Sequence, residues 1–230
     1  MNQLTVEQLQ TAYTKIFTNA DELIKESKIL FDSGAKTRAF TLAHLACEEL
    51  AKLPLVYHTA TKVHYKQKVN WKDFRRKFQD HKEKLKSVIL VANMIVGNKI
   101  DGDKFEQMQT FVTAANELKN QSLYTGFYDN EFQKPSECIS ENSIVGSYKL
   151  ANMLLDFFVD KNLHLPGGIL NSLKDVTEFD FKRSNELSMH NALYTPDGKI
   201  YAYYAKKHRN ELKQKQKKRN QKLRKKNKKK

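Results

Sequence analysis

The sequence is poor in the residues that interrupt helices. Its 230 residues include eight Gly and four Pro. Because a many-stranded β fold needs frequent turns, this scarcity favours long helices. The two cysteines, Cys47 and Cys138, lack the short spacing typical of a zinc site and indicate no disulfide framework. We therefore expect neither a metal site nor another cofactor.

Long hydrophobic runs are also missing. The most apolar stretches, near Val88–Val96 and Met153–Val159, are too short and too interrupted to span a bilayer, so no membrane association is expected. The first residues, Met1-Asn2-Gln3-Leu4, show no basic region followed by an apolar block. A cytoplasmic location is the resulting expectation.

Positive charge is concentrated at one end of the chain. Of the formal net charge of +15, the segment 205–230 carries +14, since twelve Lys and three Arg stand against Glu211. A segment with so few apolar residues cannot form a core, so we predict a disordered or solvated tail. RNA or the ribosome is the expected partner, bound less tightly as salt rises; a purely solubilising tail is the alternative. The basic residues predicted to bind RNA are Arg209, Lys217, Lys218, Arg219, Arg224, Lys225 and Lys226.

Apolar residues recur at helical spacing over most of the remaining chain. The predicted helices cover residues 5–31, 35–65, 70–97, 103–119, 141–162 and 169–190. Thr5 and Gln8 predict a capping box, Ser33-Gly34 predicts a stop, and Pro54 should kink or restart the second helix. Residues 120–139 are predicted to form an ordered extended loop, and 195–198 a turn. The third helix, 70–97, is expected to be continuous, with its apolar residues forming one stripe that faces inward.

The expected fold is an all-α, antiparallel helical bundle. The predicted organisation is a bundle over residues 1–165, a helical extension over 166–204 and the basic tail over 205–230.

Two polar residues fall on otherwise apolar helix faces. Glu49 lies in step with the apolar residues of the second helix, and His81 lies within the stripe of the third. A buried carboxylate is costly unless it is paired, and side-by-side packing of the two helices would place its partners in one charged cluster. The candidate partners are His44, Glu48, Lys52, Lys82 and Lys84. The alternative is structural: a core histidine satisfied by a glutamate, and an ordinary Glu48–Lys52 helix pair.

Three sequence blocks resemble the AbiV family of bacterial abortive-infection proteins. The first, Ala43-His44-Leu45-Ala46-Cys47-Glu48-Glu49-Leu50-Ala51-Lys52, is similar to a signature helix ending in Glu-Glu-x-x-Lys. The second, Trp71…Phe74…His81-Lys82-Glu83-Lys84-Leu85, is similar to an aromatic segment ending in His-Lys-x-Lys. The third combines Leu118-Lys119, Leu123-Tyr124 and Pro135-Ser136-Glu137. The resemblance spans roughly residues 5–165.

The resemblance implies a bundle of the HEPN type, a class that often dimerises and includes many RNases with an Arg-x(4–6)-His motif. In such an enzyme a histidine acts as general acid or base without a metal, and a cation steadies the phosphate. This chain departs from the family in having Lys119 where Arg is usual, with no histidine at the right distance after it. The motif occurs elsewhere, at Arg38–His44, Arg75–His81, Arg76–His81 and Arg183–His190. We favour Arg76–His81.

The predicted site follows from these blocks and helix faces. The catalytic candidates are His81, Arg76, Glu49, Lys52 and Glu48. The candidate RNA-binding residues of the body are Lys82, Lys84, Lys119 and Tyr124, although Tyr124 could instead be a loop residue packed on the bundle.

Two functions are compatible with this site. The first is an antiphage effector that arrests growth after infection by cleaving RNA or blocking translation. The second is a non-catalytic module that docks a phage or host protein and holds RNA or ribosomes through its tail. A phage-encoded activating protein and a second copy of the chain are further expected partners. A metal-dependent carboxylate bundle is disfavoured because the sequence has no Glu-x-x-His pair.

Overall fold

The computed structural model describes residues 3–95, 114 and 116–174. The helices named here are α1 (Val6–Asp32), α2 (Lys36–Leu50), α3 (Leu53–His64), α4 (Trp71–Gln79), α5 (His81–Ile95), α6 (Pro135–Cys138), α7 (Glu141–Asp160) and α8 (Gly168–Leu173). Residues 116–121 are also helical. The strands β1 (Gly126–Tyr128) and β2 (Glu131–Gln133) form a two-stranded antiparallel sheet. The expected all-α fold is confirmed.

The first two helices form a hairpin that the sequence predicts closely. Thr5 Oγ1 accepts from the Gln8 backbone N–H at 3.2 Å, and the Gln8 side chain accepts from the Thr5 N–H at 2.9 Å. At the other end, Gly34 adopts a left-handed conformation with φ 85°, which a residue without a Cβ tolerates. Because the connection is so short, α2 folds back along α1. Ser27 Oγ fastens the pair by donating to the Ala39 carbonyl at 2.8 Å.

Helix α2 is the central element. It packs between α1 and α7 and also touches α5. The small residues Ala39, Ala43 and Ala46 are buried on it and permit close approach of its neighbours. Helix α2 ends at Leu50, and Pro54 lies in the first turn of α3, where its missing N–H costs no helical hydrogen bond. The predicted restart at this proline is therefore confirmed.

The prediction of one continuous third helix is wrong. The chain breaks at Asp80, whose ψ of 114° is extended, and separates α4 from α5. Asp80 Oδ1 accepts hydrogen bonds from the backbone N–H groups of Lys82 at 2.9 Å and Glu83 at 3.2 Å. An aspartate that caps the next helix competes with helix continuation, because its carboxylate satisfies N–H groups that have no carbonyl partner. His81 consequently becomes the first residue of α5.

The ordered extended loop is a β-hairpin followed by a short helix. Asp129 and Asn130 form its turn with φ values of 51° and 64°, which suits the right-handed twist of the two strands. Helix α6 follows, and Ser140 caps α7 by accepting from the Ser143 N–H at 3.2 Å.

Several predictions concern residues outside the described part. Of the helix predicted over 103–119, the structure describes residues 114 and 116–119, and of that predicted over 169–190 it describes the part up to 174. The turn at 195–198 and the basic tail lie outside it. Within the described ranges, no helix is both long and apolar enough to cross a bilayer.

The main core is built by α1, α2, α3, α5, α7 and α8. Tyr13, Leu50 and Leu53 are among its largest fully buried side chains. The Gln10 side chain donates to the Leu163 carbonyl at 2.9 Å and accepts from the Ile169 N–H at 2.7 Å. These contacts fix the α7–α8 connection against α1. The charged residues considered next lie where α5 and residues 116–121 meet α2.

Candidate functional site

A buried carboxylate organises the candidate site. The Glu48 side chain is 3% exposed and is met by an imidazole and two ammonium groups from distant parts of the chain. A second imidazole, one helical turn earlier on α2, lies beside it. We call this set the Glu48 cluster; its members are Glu48, His44, His81, Lys84 and Lys119.

Each carboxylate oxygen of Glu48 has its own partners. Oε2 lies 2.6 Å from Nδ1 of His81 and 2.9 Å from Nζ of Lys84, both on α5. Oε1 lies 3.1 Å from Nζ of Lys119, in the helical segment 116–121. Charged partners on both oxygens offset the desolvation of the carboxylate, as a buried ion requires.

The Glu48 contact fixes which ring nitrogen of His81 is available. The short distance to a carboxylate indicates that Nδ1 carries a proton and donates it, since an ionised carboxylate only accepts. Nζ of Lys119 lies 3.4 Å from the same nitrogen but donates to Glu48. Nε2 of a neutral His81 ring is then an acceptor, and it has no hydrogen-bond partner among the residues that the structure describes. The His81 side chain is 54% exposed, so the ring leads from the buried carboxylate to solvent.

Glu48 is ionised throughout the physiological range. Burial raises the pKa of its carboxyl, but His44, Lys84 and Lys119 together outweigh burial and hold that pKa well below the usual 4.5. His44 contributes as a neighbour at 3.5 Å, and its buried Nε2 makes no hydrogen bond within the described residues. Among the five side chains, one carboxylate faces two ammonium groups. With neutral imidazoles the cluster therefore carries one excess positive charge.

The prediction that Glu49 is the buried acid is wrong. Its side chain is 20% exposed and forms an ion pair with Lys52, three residues further along the chain. Nζ of Lys52 also lies 4.9 Å from the centre of the Phe78 ring, a cation–π distance. Neighbouring helix residues point about 100° apart, so the Glu48 carboxylate faces inward while the Glu49 carboxylate lies at the edge of the buried face of α2. The apolar pattern pointed to the wrong member of the pair.

The favoured Arg76–His81 motif is not observed as a joined pair. Arg76 is exposed, donates to Asp73 Oδ1 at 2.8 Å, and lies 4.0 Å from the carboxylate of Asp80. The break at Asp80 separates it from His81, because the two residues belong to different helices. Local acidic residues therefore engage this guanidinium.

The remaining candidate residues differ in their burial and in their distance from the Glu48 cluster. Lys84 and Lys119 are buried in the Glu48 cluster, whereas Lys82 is exposed near its edge. Tyr124 is exposed before the hairpin, so the packed-loop alternative does not describe it. The tail candidates and the Arg183–His190 pair lie outside the described residues.

Two hydroxyl groups beside Lys119 had no signal in the sequence. Ser122 Oγ donates to the Lys119 carbonyl at 2.7 Å, and it lies 2.7 Å from Oγ1 of Thr41 on α2. Both hydroxyl groups are buried. Their contact joins residues 81 positions apart, a separation at which no local pattern predicts pairing.

The sequence model of the AbiV family matches residues 8–156 of the chain. The chain belongs to the AbiV family. All five residues of the Glu48 cluster lie inside the match, which extends from α1 into α7. AbiV membership confirms the HEPN-like helical fold and indicates a role in abortive infection, a form of antiphage defence. Neither a curated protein nor a solved structure matches the chain significantly.

The chemistry available to this AbiV-family site is acid–base and electrostatic. His81 offers a solvent-facing ring nitrogen on an imidazole whose other nitrogen is held by a carboxylate, an arrangement suited to proton transfer. Lys84 and Lys119 add positive charge behind it. Within the described ranges, no group of three or more His, Cys, Asp or Glu side chains is placed to hold a metal ion.

Proposed function

We propose that the chain is an antiphage effector that arrests growth after infection by cleaving RNA, with His81 as the proton-transfer residue. The observation that carries this proposal is the 2.6 Å contact between Glu48 Oε2 and His81 Nδ1, in which a buried acid orients an exposed imidazole. Family membership supplies the antiphage setting, and RNA is the proposed substrate because its 2′-hydroxyl provides a proton that an imidazole can remove.

In the proposed reaction, Nε2 of His81 accepts the proton of a ribose 2′-hydroxyl. The 2′-oxygen then forms a bond to the adjacent phosphorus, and the bond from phosphorus to the leaving 5′-oxygen breaks. The imidazolium is stabilised by Glu48 and returns its proton to that leaving oxygen. General acid–base catalysis of this kind contributes about 10²–10⁴-fold to a rate.

The two lysines attract the phosphodiester without clamping it. Their ammonium groups are buried and bonded to Glu48, so they act mainly through the excess positive charge of the cluster. Lys119 keeps the charge of the family's arginine but lacks its bidentate fork. The basic tail, 205–230, is proposed to hold RNA or the ribosome near the site.

Replacing His81 by Ala tests this function in phage-challenged cells. We expect protection to be lost, because the ring that exchanges the proton is gone, while Lys84 and Lys119 still pair with Glu48 and keep the protein folded. His64→Ala is the matched control, since His64 is another exposed histidine and contacts Tyr65. Undiminished protection by folded His81→Ala protein would remove the imidazole from the mechanism.

A non-catalytic binding function is the second candidate, and the hairpin favours it. Phe127 and Phe132 form a cross-strand pair with ring centres 5.1 Å apart, and Phe132 is 80% exposed. Exposed aromatic pairs are typical of protein-docking surfaces. The proposed partner is a phage-encoded activating protein, and pairing with a second copy of the chain is proposed as well.

Incubating purified protein with total RNA, with and without lysate of infected cells, separates the two functions. Cleavage that disappears in His81→Ala supports the RNase. RNA retained but left intact under both conditions supports the binding module.

A further inference from the structure

A short chain of buried hydroxyl groups connects α2 to the backbone of Lys119. Ser122 Oγ has one proton, which it donates to the Lys119 carbonyl at 2.7 Å. Thr41 Oγ1 lies 2.7 Å from Ser122 Oγ and 3.1 Å from the Thr37 carbonyl. The Thr41 proton has both Ser122 Oγ and the Thr37 carbonyl within reach, and the two hydroxyl groups together link α2 to the Lys119 carbonyl.

The spacing of these residues gives a two-point attachment. Thr41 and Glu48 are seven residues apart on α2, which places them on one face two turns apart. Ser122 directly follows the helical segment 116–121 and continues its hydrogen-bond pattern through the Leu118 carbonyl at 2.9 Å, so it lies on the same face as Lys119, three residues earlier. Thr41 contacts Ser122, and two helical turns further along α2 Glu48 contacts Lys119. The hydroxyl contact therefore fixes the rotation and height of the segment that carries the Lys119 ammonium group.

We propose that Thr41 and Ser122 are positioning residues that hold Lys119 on Glu48, and thereby maintain the charge around His81. The proposal rests on the proposed function for its consequence in RNA cleavage, but the placement of Lys119 can be tested without any activity. Ser122→Ala removes both hydrogen bonds, and Thr41→Val removes one while preserving the shape of the side chain. The first variant should release Lys119 more than the second.

Residue-specific labelling with acetic anhydride, read by mass spectrometry on the full chain, measures that release. In the unaltered protein Lys119 and Lys84 should both react slowly, because each is buried and bonded to Glu48. In Ser122→Ala the Lys119 rate should rise about tenfold, the change in a local equilibrium that loss of one or two buried hydrogen bonds produces. The Lys84 rate should stay the same, since α5 holds it independently.

Matched variants separate positioning from general loosening. Thr59→Val also removes a buried threonine hydroxyl, but that hydroxyl bonds to the Leu55 carbonyl within α3 at 2.8 Å, so Lys119 should keep its slow rate. Thr41→Ser retains the hydroxyl donor and should therefore restore the slow labelling of Lys119 that Thr41→Val loses. Equal acceleration of Lys84 and Lys119 in Ser122→Ala, or acceleration of neither, overturns the proposal.

RNA cleavage by the same variants tests the consequence separately. If the chain is an RNase, Ser122→Ala and Thr41→Val should reduce the rate of cleavage and Thr59→Val should not. If neither the unaltered protein nor any variant cleaves RNA, the proposed function fails. The labelling result still decides whether the hydroxyl chain positions Lys119.

Discussion

Two adjacent carboxylates on α2 have very different surroundings. Glu48 is almost fully buried and bonds to groups that lie 33 and 71 positions away, His81 and Lys119. Glu49 is partly exposed and pairs with Lys52, three residues away. One residue step along a helix thus separates a junction of three chain segments from a local, partly buried pair. The comparison shows that tertiary packing decides which of the two carboxylates gains distant partners.

The largest difference between the two carboxylates is expected in stability. Glu48→Gln leaves two buried ammonium groups without their counter-ion, and breaking a buried pair in this way costs about 3–5 kcal/mol. Glu49→Gln leaves a neutral acceptor for Lys52 in a partly buried local pair and should cost less, about 1 kcal/mol. Urea unfolding at pH 7 measures both free energies. Similar losses in the two variants would contradict the distinction between a buried junction and a local, partly buried pair.

The pH dependence of that stability difference sharpens the comparison. Because the pKa of Glu48 is lowered in the folded protein, its stabilising contribution is present above the unfolded pKa of 4.5 and is lost as the pH falls further. The gap in unfolding free energy between the unaltered protein and Glu48→Gln should therefore narrow as the pH is lowered from about 5. A gap that stays constant or widens on acidification would show that Glu48 is not ionised and paired as described.

A smaller difference is expected between the lysines of the two regions. Lys84→Met leaves Glu48 with Lys119 and His81, so the loss should be about 1–3 kcal/mol, that of one charged hydrogen-bond partner at a buried site. Lys52→Met removes a local partner from Glu49, whose carboxylate keeps some contact with water, and should cost less, about 1 kcal/mol. Thermal or urea unfolding of both variants measures the difference, and a greater loss in Lys52→Met would reverse the proposed ranking.

Local signals in the sequence predicted much of the fold. The capping box of Thr5 and Gln8, the stop at Gly34 and the restart at Pro54 depend on residues only a few positions apart. Asp80 shows where such signals compete, because its position fits an uninterrupted helical stripe while its side chain caps a new helix. The spacing of apolar residues does not reveal the preference of an aspartate for the N-cap of a helix.

The candidate site was less accessible to sequence reasoning. The sequence identifies as candidates Glu48, His81, Lys84 and Lys119. It nevertheless predicts Glu49 as the buried acid, because apolar periodicity fixes the inward face of a helix only to within a residue or so. Which carboxylate faces inward depends on how α5 and residues 116–121 cross α2. The contact of Thr41 with Ser122 depends on the same packing and had no sequence signature at all.

The central claim is that Glu48 holds His81 by Nδ1 and leaves Nε2 free to exchange a proton. Nitrogen NMR of the full chain with ¹⁵N-labelled histidine tests this most directly, because the two ring nitrogens of a neutral imidazole have distinct chemical shifts. We predict that neutral His81 carries its proton on Nδ1, and that Glu48→Gln weakens this preference. A His81 ring protonated on Nε2 instead, in the unaltered protein, would contradict both the geometry of the cluster and the chemistry proposed for it.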